Sequence, residues 1–381
     1  MLSTCVALGL LVAAVQAGPA VEPTLPRPGT PGPWDCDVLV YRVGPDGKVE
    51  KAATFERAGV PTIARLKDGR LIAAHQHFPQ NDPANFDKVA ARFSSDEGKT
   101  WTDPQVIRLT GLPEGMRFPF DPTLVPLPDG RVRLYFTSLR GRRFDEDLPA
   151  IYSAVSDDGV HYTFEPGRRF GVAGRLVIDC AVVLHQGVFH LYAPDNGAGR
   201  GPGARPGEEP AGGRPREGVG YHATSRDGLD FVQADDVRID GHCRWLGGAQ
   251  SDGKVITFYG TGDPGVPAPG GRRGSLWVAT SEDGQSWRLA SSPAISGGDP
   301  GAVATRDGGL VVVITGGPRP GTPSARPRRP PREPGPPRAA PPARARWIRE
   351  TRDRDERAAL DRLLSINATG ANVAALAATG T

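Results

Sequence analysis

The chain has 381 residues, of which 38% are hydrophobic and 23% charged, a composition that excludes a wholly disordered protein. Its 50 glycines and 39 prolines exclude a helical bundle, because both residues interrupt helices and favour short strands joined by tight turns. The net charge of +3 is unevenly distributed, since residues 318–346 contain eight arginines and one glutamate. The rest of the chain is therefore mildly acidic, which argues against a nucleic-acid partner.

Residues 1–17 contain an apolar run followed by small residues, the pattern of a secretory signal peptide. No basic residue precedes the run, so a start without defined structure is the alternative. No other segment is long and apolar enough to span a bilayer. We therefore expect a secreted or periplasmic protein without a membrane span. Its mature part would keep Cys36, Cys180 and Cys243, an odd number that cannot complete a disulfide framework.

An apolar run, a two-residue turn and a second apolar run recur five times along the chain. The turn glycines follow one another at intervals of roughly 60 residues, which is the signature of a repeat architecture; they are Gly69, Gly130, Gly187, Gly253 and Gly308. Asp-Gly between alternating apolar runs is the strongest short-range hairpin signal, because glycine accepts the positive φ of the turn. The chain is therefore predicted to contain five consecutive hairpins.

Each of the first four hairpins is followed by a further strand and a second turn. One of these turns matches the pattern S-x-D-x-G-x-T-W in full, with the residues Ser94, Asp96, Gly98, Thr100 and Trp101. It resembles the Asp box of sialidase-like (BNR) propellers. The copies near residues 155, 224 and 280 align less well: the first lacks the serine, and Arg226 and Glu282 occupy the aspartate positions of the other two.

The resemblance implies an all-β fold, a five-bladed β-propeller over residues 36–317. The fifth hairpin has no third and fourth strands after it, whereas residues 37–55 form a hairpin that has no other place. Because propellers close their ring by building one blade from both termini, we predict that this N-terminal hairpin completes the last blade. Residues 318–346 are predicted to be a Pro/Arg-rich disordered linker, and residues 347–381 a short helix and a disordered tail.

The first strand of each propeller blade lines the central channel, so the residues that precede these strands should meet at one channel mouth. Counting back from the turn glycines gives Val60, Asp121, Asp179, Arg244 and Asp299. Converging carboxylates repel one another and raise at least one pKa, as a general acid and base require. The alternative is that each aspartate only caps a local turn. Together with a histidine, the aspartates could also hold calcium or another divalent cation.

The loops between second and third strands supply further candidates at the same mouth. His75 is a candidate acid, because histidine exchanges protons near neutral pH. Arginine can clamp a carboxylate or sulfate, and tryptophan can stack on a sugar ring. The residues predicted to bind substrate are Arg140, Arg244, Asp195, Asn196, His77, Asp263 and Trp245.

The Asp-Pro strand starts at residues 121 and 299 resemble those of five-bladed glycoside hydrolases such as arabinanases and β-xylosidases. That resemblance implies a base aspartate on the first blade, where this chain has Val60. True sialidases carry an arginine in the stretch that corresponds to Ala58–Pro61, so strict sialidase activity is not expected.

These observations predict a secreted, monomeric, carbohydrate-active propeller. We expect a glycoside hydrolase of an oligo- or polysaccharide that uses Asp121, Asp179 and Asp299 as general acid and base, with no cofactor unless the channel holds a cation. One alternative is a non-catalytic glycan-binding propeller. The other is a protein-interaction propeller of the cell envelope.

Overall fold

The computed structural model describes residues 32–141, 147–198, 213–264 and 274–319. All of them belong to one compact unit, Met1–Pro323. The predicted signal peptide and nearly all of the predicted linker and tail lie outside the described residues. Within the described ranges, no helix has the length and apolar character of a membrane span.

Strands make up almost all of the regular structure, and they form five sheets that confirm the predicted five-bladed β-propeller. Two short 3₁₀ helices occur at Pro33–Asp35 and Pro83–Asn85. The N-terminal hairpin consists of β1 (Cys36–Val43) and β2 (Val49–Phe55). Blade 1 contains β3 (Ala58–Arg65), β4 (Leu71–His77), β5 (Lys88–Ser94) and β6 (Gln105–Val106).

Blades 2, 3 and 4 contain the same antiparallel meander, and blade 2 has an additional short strand that pairs in parallel at its outer edge. Blade 2 contains β7 (Arg108–Thr110), β8 (Phe120–Pro126), β9 (Val132–Ser138), β10 (Ala150–Ser156) and β11 (His161–Phe170). Blade 3 contains β12 (Ala181–His185), β13 (Val188–Pro194), β14 (Val219–Ser225), β15 (Val232–Gln233) and β16 (Val237–Arg238). Blade 4 contains β17 (Gly241–Ser251), β18 (Ile256–Pro264), β19 (Leu276–Ser281) and β20 (Arg288–Ala290). Blade 5 includes β21 (Gly298–Ala304) and β22 (Leu310–Pro318).

Blade 5 combines strands from both ends of the described chain. Its strand order is β2-β1-β22-β21, and β1 runs antiparallel to β22 with Val43 opposite Leu310. The first strands contact one another in the order β3, β8, β12, β17 and β21, and β21 returns to β3. Five buried hydrophobic clusters fill the spaces between neighbouring blades. The apolar surface that holds the ring together therefore lies between blades.

The Asp-box turns close through their own side chains, as the resemblance implies. In the complete copy, the Asp96 carboxylate accepts hydrogen bonds from the Thr100 amide and hydroxyl at 2.9 and 2.7 Å. In the other three Asp-box turns, the structure differs from the alignment made from the sequence. Each of them has a serine bonded to an aspartate, as the pairs Ser156–Asp158, Ser225–Asp227 and Ser281–Asp283. These copies have one residue fewer between aspartate and glycine, so the sequence alignment shifted their register.

The first strands of four blades contain a bulge at the channel mouth, and in three of these bulges a residue other than glycine has a left-handed backbone. The φ angle is 47° at Val60, 51° at Asp121 and 53° at Asp299, and a proline follows each of them. Asp179, two residues before β12, has a φ of 58°. Proline suits a bulge because the unpaired position needs no amide donor. Aspartate tolerates the left-handed conformation, whereas a β-branched residue is strained in it.

The strain at Val60 predicts a stabilising substitution. We expect Val60→Asn to raise the free energy of unfolding by about 0.5–1 kcal/mol, because asparagine adopts positive φ at lower cost. Urea unfolding measures the change. Val232→Asn is the matched control, since Val232 is a strand residue with 71% exposure and is not among the positive-φ residues. A gain at Val232 equal to that at Val60 would contradict the strain explanation.

Candidate functional site

The starts of the five first strands meet around a small cavity at the channel mouth. The cavity measures about 20 Å³, which is room for about one water molecule. One residue from each blade forms the ring around it: Val60, Asp121, Asp179, Leu246 and Asp299. The structure thus brings together the three aspartates that the sequence placed at the channel mouth.

The blade 4 position is a correction to the sequence prediction. Counting back from the turn glycine Gly253 predicted that Arg244 would line the channel in blade 4. In the structure, Leu246 lines the cavity instead. The bulge in β17 falls between Arg244 and Gly247, and Leu246 lies within it. The distance from the channel position to the turn glycine is therefore shorter in blade 4 than in blades 1, 2 and 5.

The backbone of the ring is held by threonine side chains from the preceding blades. The Val60 amide donates to Thr315 Oγ1 at 2.9 Å, the Asp179 amide to Thr137 Oγ1 at 3.1 Å, and the Asp299 amide to Thr261 Oγ1 at 3.0 Å. Each of these threonines lies on the second strand of the neighbouring blade. These bonds satisfy the backbone amides of Val60, Asp179 and Asp299, whose residues line the cavity.

Asp121 and Asp179 act as one proton-holding unit, which we call the carboxyl pair. Burial and the nearby charge of Asp299 raise the pKa of Asp121 to about 7. Burial and the charges of Asp121 and Asp299 also raise the pKa of Asp179 well above its ordinary value. The two carboxyls are hydrogen-bonded to each other. Because two like charges cannot easily ionise side by side, the carboxyl pair retains a proton near neutral pH.

Asp299 completes the group of carboxylates. Its Oδ2 atom accepts a hydrogen bond from Thr315 Oγ1 at 3.3 Å, and its charge acts on both members of the carboxyl pair. The residues described here include no group of three or more His, Cys, Asp or Glu side chains arranged to hold a metal ion.

His75, the acid predicted from the sequence, is not placed for proton transfer to a substrate. His75 is fully buried against Phe55 and His77, and it is not among the residues that line the cavity. Burial lowers the pKa of His75 to about 3, so it is neutral at physiological pH and cannot be the predicted acid. Burial also lowers the pKa of His77. His75 packs between blades 5 and 1 because it shares the face of β4 that carries Leu71 and Ala73.

Asp195 and Asn196 form a network beside the carboxyl pair. The Asp195 carboxylate is bound by the guanidinium groups of Arg175 and Arg216. Although burial acts to raise the pKa of Asp195, these bonds hold it below its ordinary value. Asn196 Oδ1 accepts a hydrogen bond from the exposed Arg244 guanidinium, whose charge also acts on Asp179. Arg244 is thus exposed and bonded to Asn196, whereas Asp195 is engaged in ion pairs.

The remaining predicted ligand contacts have different environments. Arg140 is exposed, and its amide donates to Asp147 Oδ2 at 3.0 Å. The backbone of Asp263 pairs with His242 in β17, and its side chain lies outside the described residues.

The side chain of Trp245 is completely buried, so it is not placed to stack on a sugar ring as the sequence predicted. Its indole Nε1 donates to the Gly218 carbonyl at 3.0 Å, and its rings pack against Phe258 and Trp287. The side chains of a strand alternate between its two faces, so an error of one position in the register moves a residue from the channel to the core.

The sequence analysis missed a fourth carboxylate beside the ring. Asp87, which immediately precedes β5 in blade 1, has a φ of 60°. Gln76 Nε2 donates to Asp87 Oδ1, and Arg117 Nη2 donates to Asp87 Oδ2, both at 2.7 Å. The Asp87 charge acts on Asp121. Asp87 lies at the end of the loop between the second and third strands of blade 1, where the sequence pointed only to the two histidines.

No known family and no curated protein matches the sequence. Solved structures with a similar fold include an N-acetylgalactosamine deacetylase from F. plautii in complex with blood group B trisaccharide (15% identity, TM-score 0.47), where the match covers 74% of this chain and 86% of the other. A second is the α-L-arabinanase of Penicillium chrysogenum complexed with arabinobiose (17% identity, TM-score 0.44), with 73% and 79% covered. Similarity at this level carries no inference about activity.

Proposed function

We propose that the protein is a glycoside hydrolase whose acid and base are the aspartates at the channel mouth. The observation that carries the proposal is the carboxyl pair, in which Asp121 and Asp179 share a proton near neutral pH. Asparagine or glycine would fit the left-handed backbone equally well without the cost of confining negative charge. Three aspartates at such positions are therefore better explained by chemistry than by turn geometry.

The two carboxyl groups of a glycoside hydrolase stand about 5–10 Å apart, so that the sugar fits between them. Asp121 and Asp179 are hydrogen-bonded to each other and are too close to be those two groups. The carboxyl pair therefore serves together as the acid, which donates its proton to the leaving oxygen of the glycosidic bond. Asp299 then serves as the base that activates water for attack on the anomeric carbon.

The cavity itself holds about one water molecule, so the saccharide would bind above the ring rather than inside it. Arg244 and Asn196 lie on one side of this position and would contact the sugar hydroxyls or an acidic substituent. Arg140 is retained as a further contact. We propose that the protein is exported and acts as a monomer, in keeping with the N-terminal sequence and the closed ring.

The small cavity and the valine in blade 1 favour the second candidate, a propeller that binds glycans without cleaving them. A release assay with the full chain distinguishes the two functions. Plant, algal and host glycans and chromogenic glycosides are incubated with wild-type protein and with Asp299→Asn. We expect reducing sugar from at least one substrate, and none from the variant. No release, together with a glycan-dependent rise in melting temperature, would replace the hydrolase with the binding function.

A further inference from the structure

The side-chain hydroxyl of Thr315 joins two neighbouring positions of the ring. Its oxygen accepts a hydrogen bond from the Val60 amide of blade 1 at 2.9 Å, and the hydroxyl donates to Asp299 Oδ2 of blade 5 at 3.3 Å. A threonine hydroxyl has one proton and two lone pairs, so it can make both bonds at once. Because an ionised carboxylate only accepts hydrogen bonds, the Thr315 proton lies in the contact with Asp299 when that carboxyl is charged.

The strand register explains why Thr315 reaches Asp299. In blade 5, Gly298 of β21 pairs with Thr315 of β22, and the bulge follows between Gly298 and Gly301. Asp299 is therefore the first residue of the bulge, where its φ is 53°. The threonine lies directly across from the residue that precedes the bulge, so its hydroxyl is within hydrogen-bond distance of the bulged aspartate.

Blade 2 repeats this arrangement with another aspartate of the ring. Phe120 pairs with Thr137, and Asp121 follows in the bulge. The Thr137 hydroxyl accepts a hydrogen bond from the Asp179 amide at 3.1 Å and is also hydrogen-bonded to the side chain of Asp121. In both blades, a threonine thus contacts the bulged carboxyl of its own blade and holds the backbone of the next blade.

We propose that Thr315 is a positioning residue that holds Asp299 as an ionised carboxylate with a fixed orientation. The inference rests on the proposed function, in which Asp299 is the base and must be ionised to accept a proton. A hydrogen bond donated to a charged carboxylate favours the charged form. The Val60 amide holds the Thr315 oxygen in place, so blade 1 contributes its backbone to the site although its ring position has no carboxylate.

The neighbouring ring positions oppose the ionisation of Asp299. The carboxyl pair, from blades 2 and 3, interacts with the charge of Asp299. Blades 1 and 4 line the same cavity with the apolar residues Val60 and Leu246. Like charges and apolar surroundings both favour the neutral form of a carboxyl group. The hydroxyl of Thr315 acts in the opposite direction, which gives this single bond its importance.

The test follows the titration of Asp299 and needs no substrate. Full-length protein is labelled with aspartate carrying carbon-13 in its carboxyl group, and the Asp299 signal is assigned by its loss in Asp299→Asn. We expect the titration midpoint to rise by about 0.5–1 pH unit in Thr315→Val, which keeps the β-branched shape but cannot donate. Thr315→Ser retains the hydroxyl and should restore the wild-type midpoint.

Thr261→Val is the matched control. Thr261 Oγ1 accepts a hydrogen bond from the Asp299 amide at 3.0 Å, so both valine variants remove one amide acceptor and should lower the melting temperature alike. Thr261→Val leaves the donor to Asp299 Oδ2 in place, so its midpoint shift should be clearly smaller. An unchanged or lowered midpoint in Thr315→Val, a failure of Thr315→Ser to restore it, or an equal shift in Thr261→Val would overturn the proposal.

The role of Thr315 and the proposed function can fail separately. If a glycan is cleaved, the limb of the pH–rate profile that reports the base should move to higher pH in Thr315→Val, by the same amount as the Asp299 midpoint, and return in Thr315→Ser. A shifted midpoint in a protein that cleaves no glycan would keep Thr315 as a positioning residue and reject the hydrolase. An unchanged midpoint in a protein that cleaves glycans would reject the role of Thr315 alone.

Discussion

An Asp121→Asn protein is expected to be more stable than the wild type above pH 7 while losing glycan release by roughly 10²–10⁴-fold. The folded protein raises the pKa of Asp121 from 3.8 to about 7. Between these values the folded state holds a proton that the unfolded state has released, so wild-type stability falls as the pH rises from about 4 to 7. The variant has no carboxyl at residue 121, so it does not lose this part of its folding stability as the pH rises.

The size of the gain is limited by the exposure of the carboxyl to the cavity. A shift of three pKa units corresponds to about 4 kcal/mol, and we expect about half of that or less because the side chain keeps some contact with solvent. Melting temperatures measured at pH 4 and pH 8 should show the difference at pH 8 only. Asp129→Asn, at the exposed turn on the other end of β8, should give no gain at pH 8. A destabilised Asp121→Asn at pH 8 would show that the carboxyl is a structural cap.

The second large effect concerns Trp245. We expect Trp245→Ala to lower the free energy of unfolding by about 3–5 kcal/mol, because it empties a fully buried position and removes the donor to the Gly218 carbonyl. Chemical unfolding monitored by circular dichroism measures the loss. Leu246→Ala is the matched control on the next residue, which lines the cavity and is only half-buried, and it should cost clearly less.

The same pair of variants tests the placement of the indole. If Trp245→Ala kept wild-type stability and lost only glycan binding, the indole would be a sugar platform and the core position would be wrong. Trp245→Phe should have an intermediate stability, since it fills much of the space but cannot donate to Gly218.

The features that the sequence predicted correctly are those fixed by local chemistry. The five turn glycines all have positive φ, as an Asp-Gly or similar hairpin turn requires. The Asp box at residues 94–101 closes through the atoms that its pattern implies. The three channel aspartates were located by counting back from the turn glycines. Asp121 and Asp299 lie nine residues before theirs, and Asp179 lies eight before Gly187.

The channel position of blade 4 was predicted wrongly because the number of residues between it and the turn glycine differs from that in the other blades. Leu246 is seven residues before Gly253, whereas Val60 is nine before Gly69, so the bulge in β17 moved the channel position away from Arg244. His75 was misassigned for a different reason: the sequence does not indicate which face of β4 meets the neighbouring blade. Asp87 was missed because its hydrogen bonds to Gln76 and Arg117 form only in the folded chain.

The pairing of β1 with β22 has a consequence for the order in which the molecule can be assembled. Residues about 270 positions apart must find each other before the ring is complete, and contacts of such separation are slow to form. During synthesis the N-terminal hairpin leaves the ribosome long before β22, so it cannot pair with β22 until the last blade has been made. Until then the flanks of blades 1 and 4 that face blade 5 present their apolar surfaces to solvent, so the nascent chain is most vulnerable to aggregation immediately before its final hairpin appears.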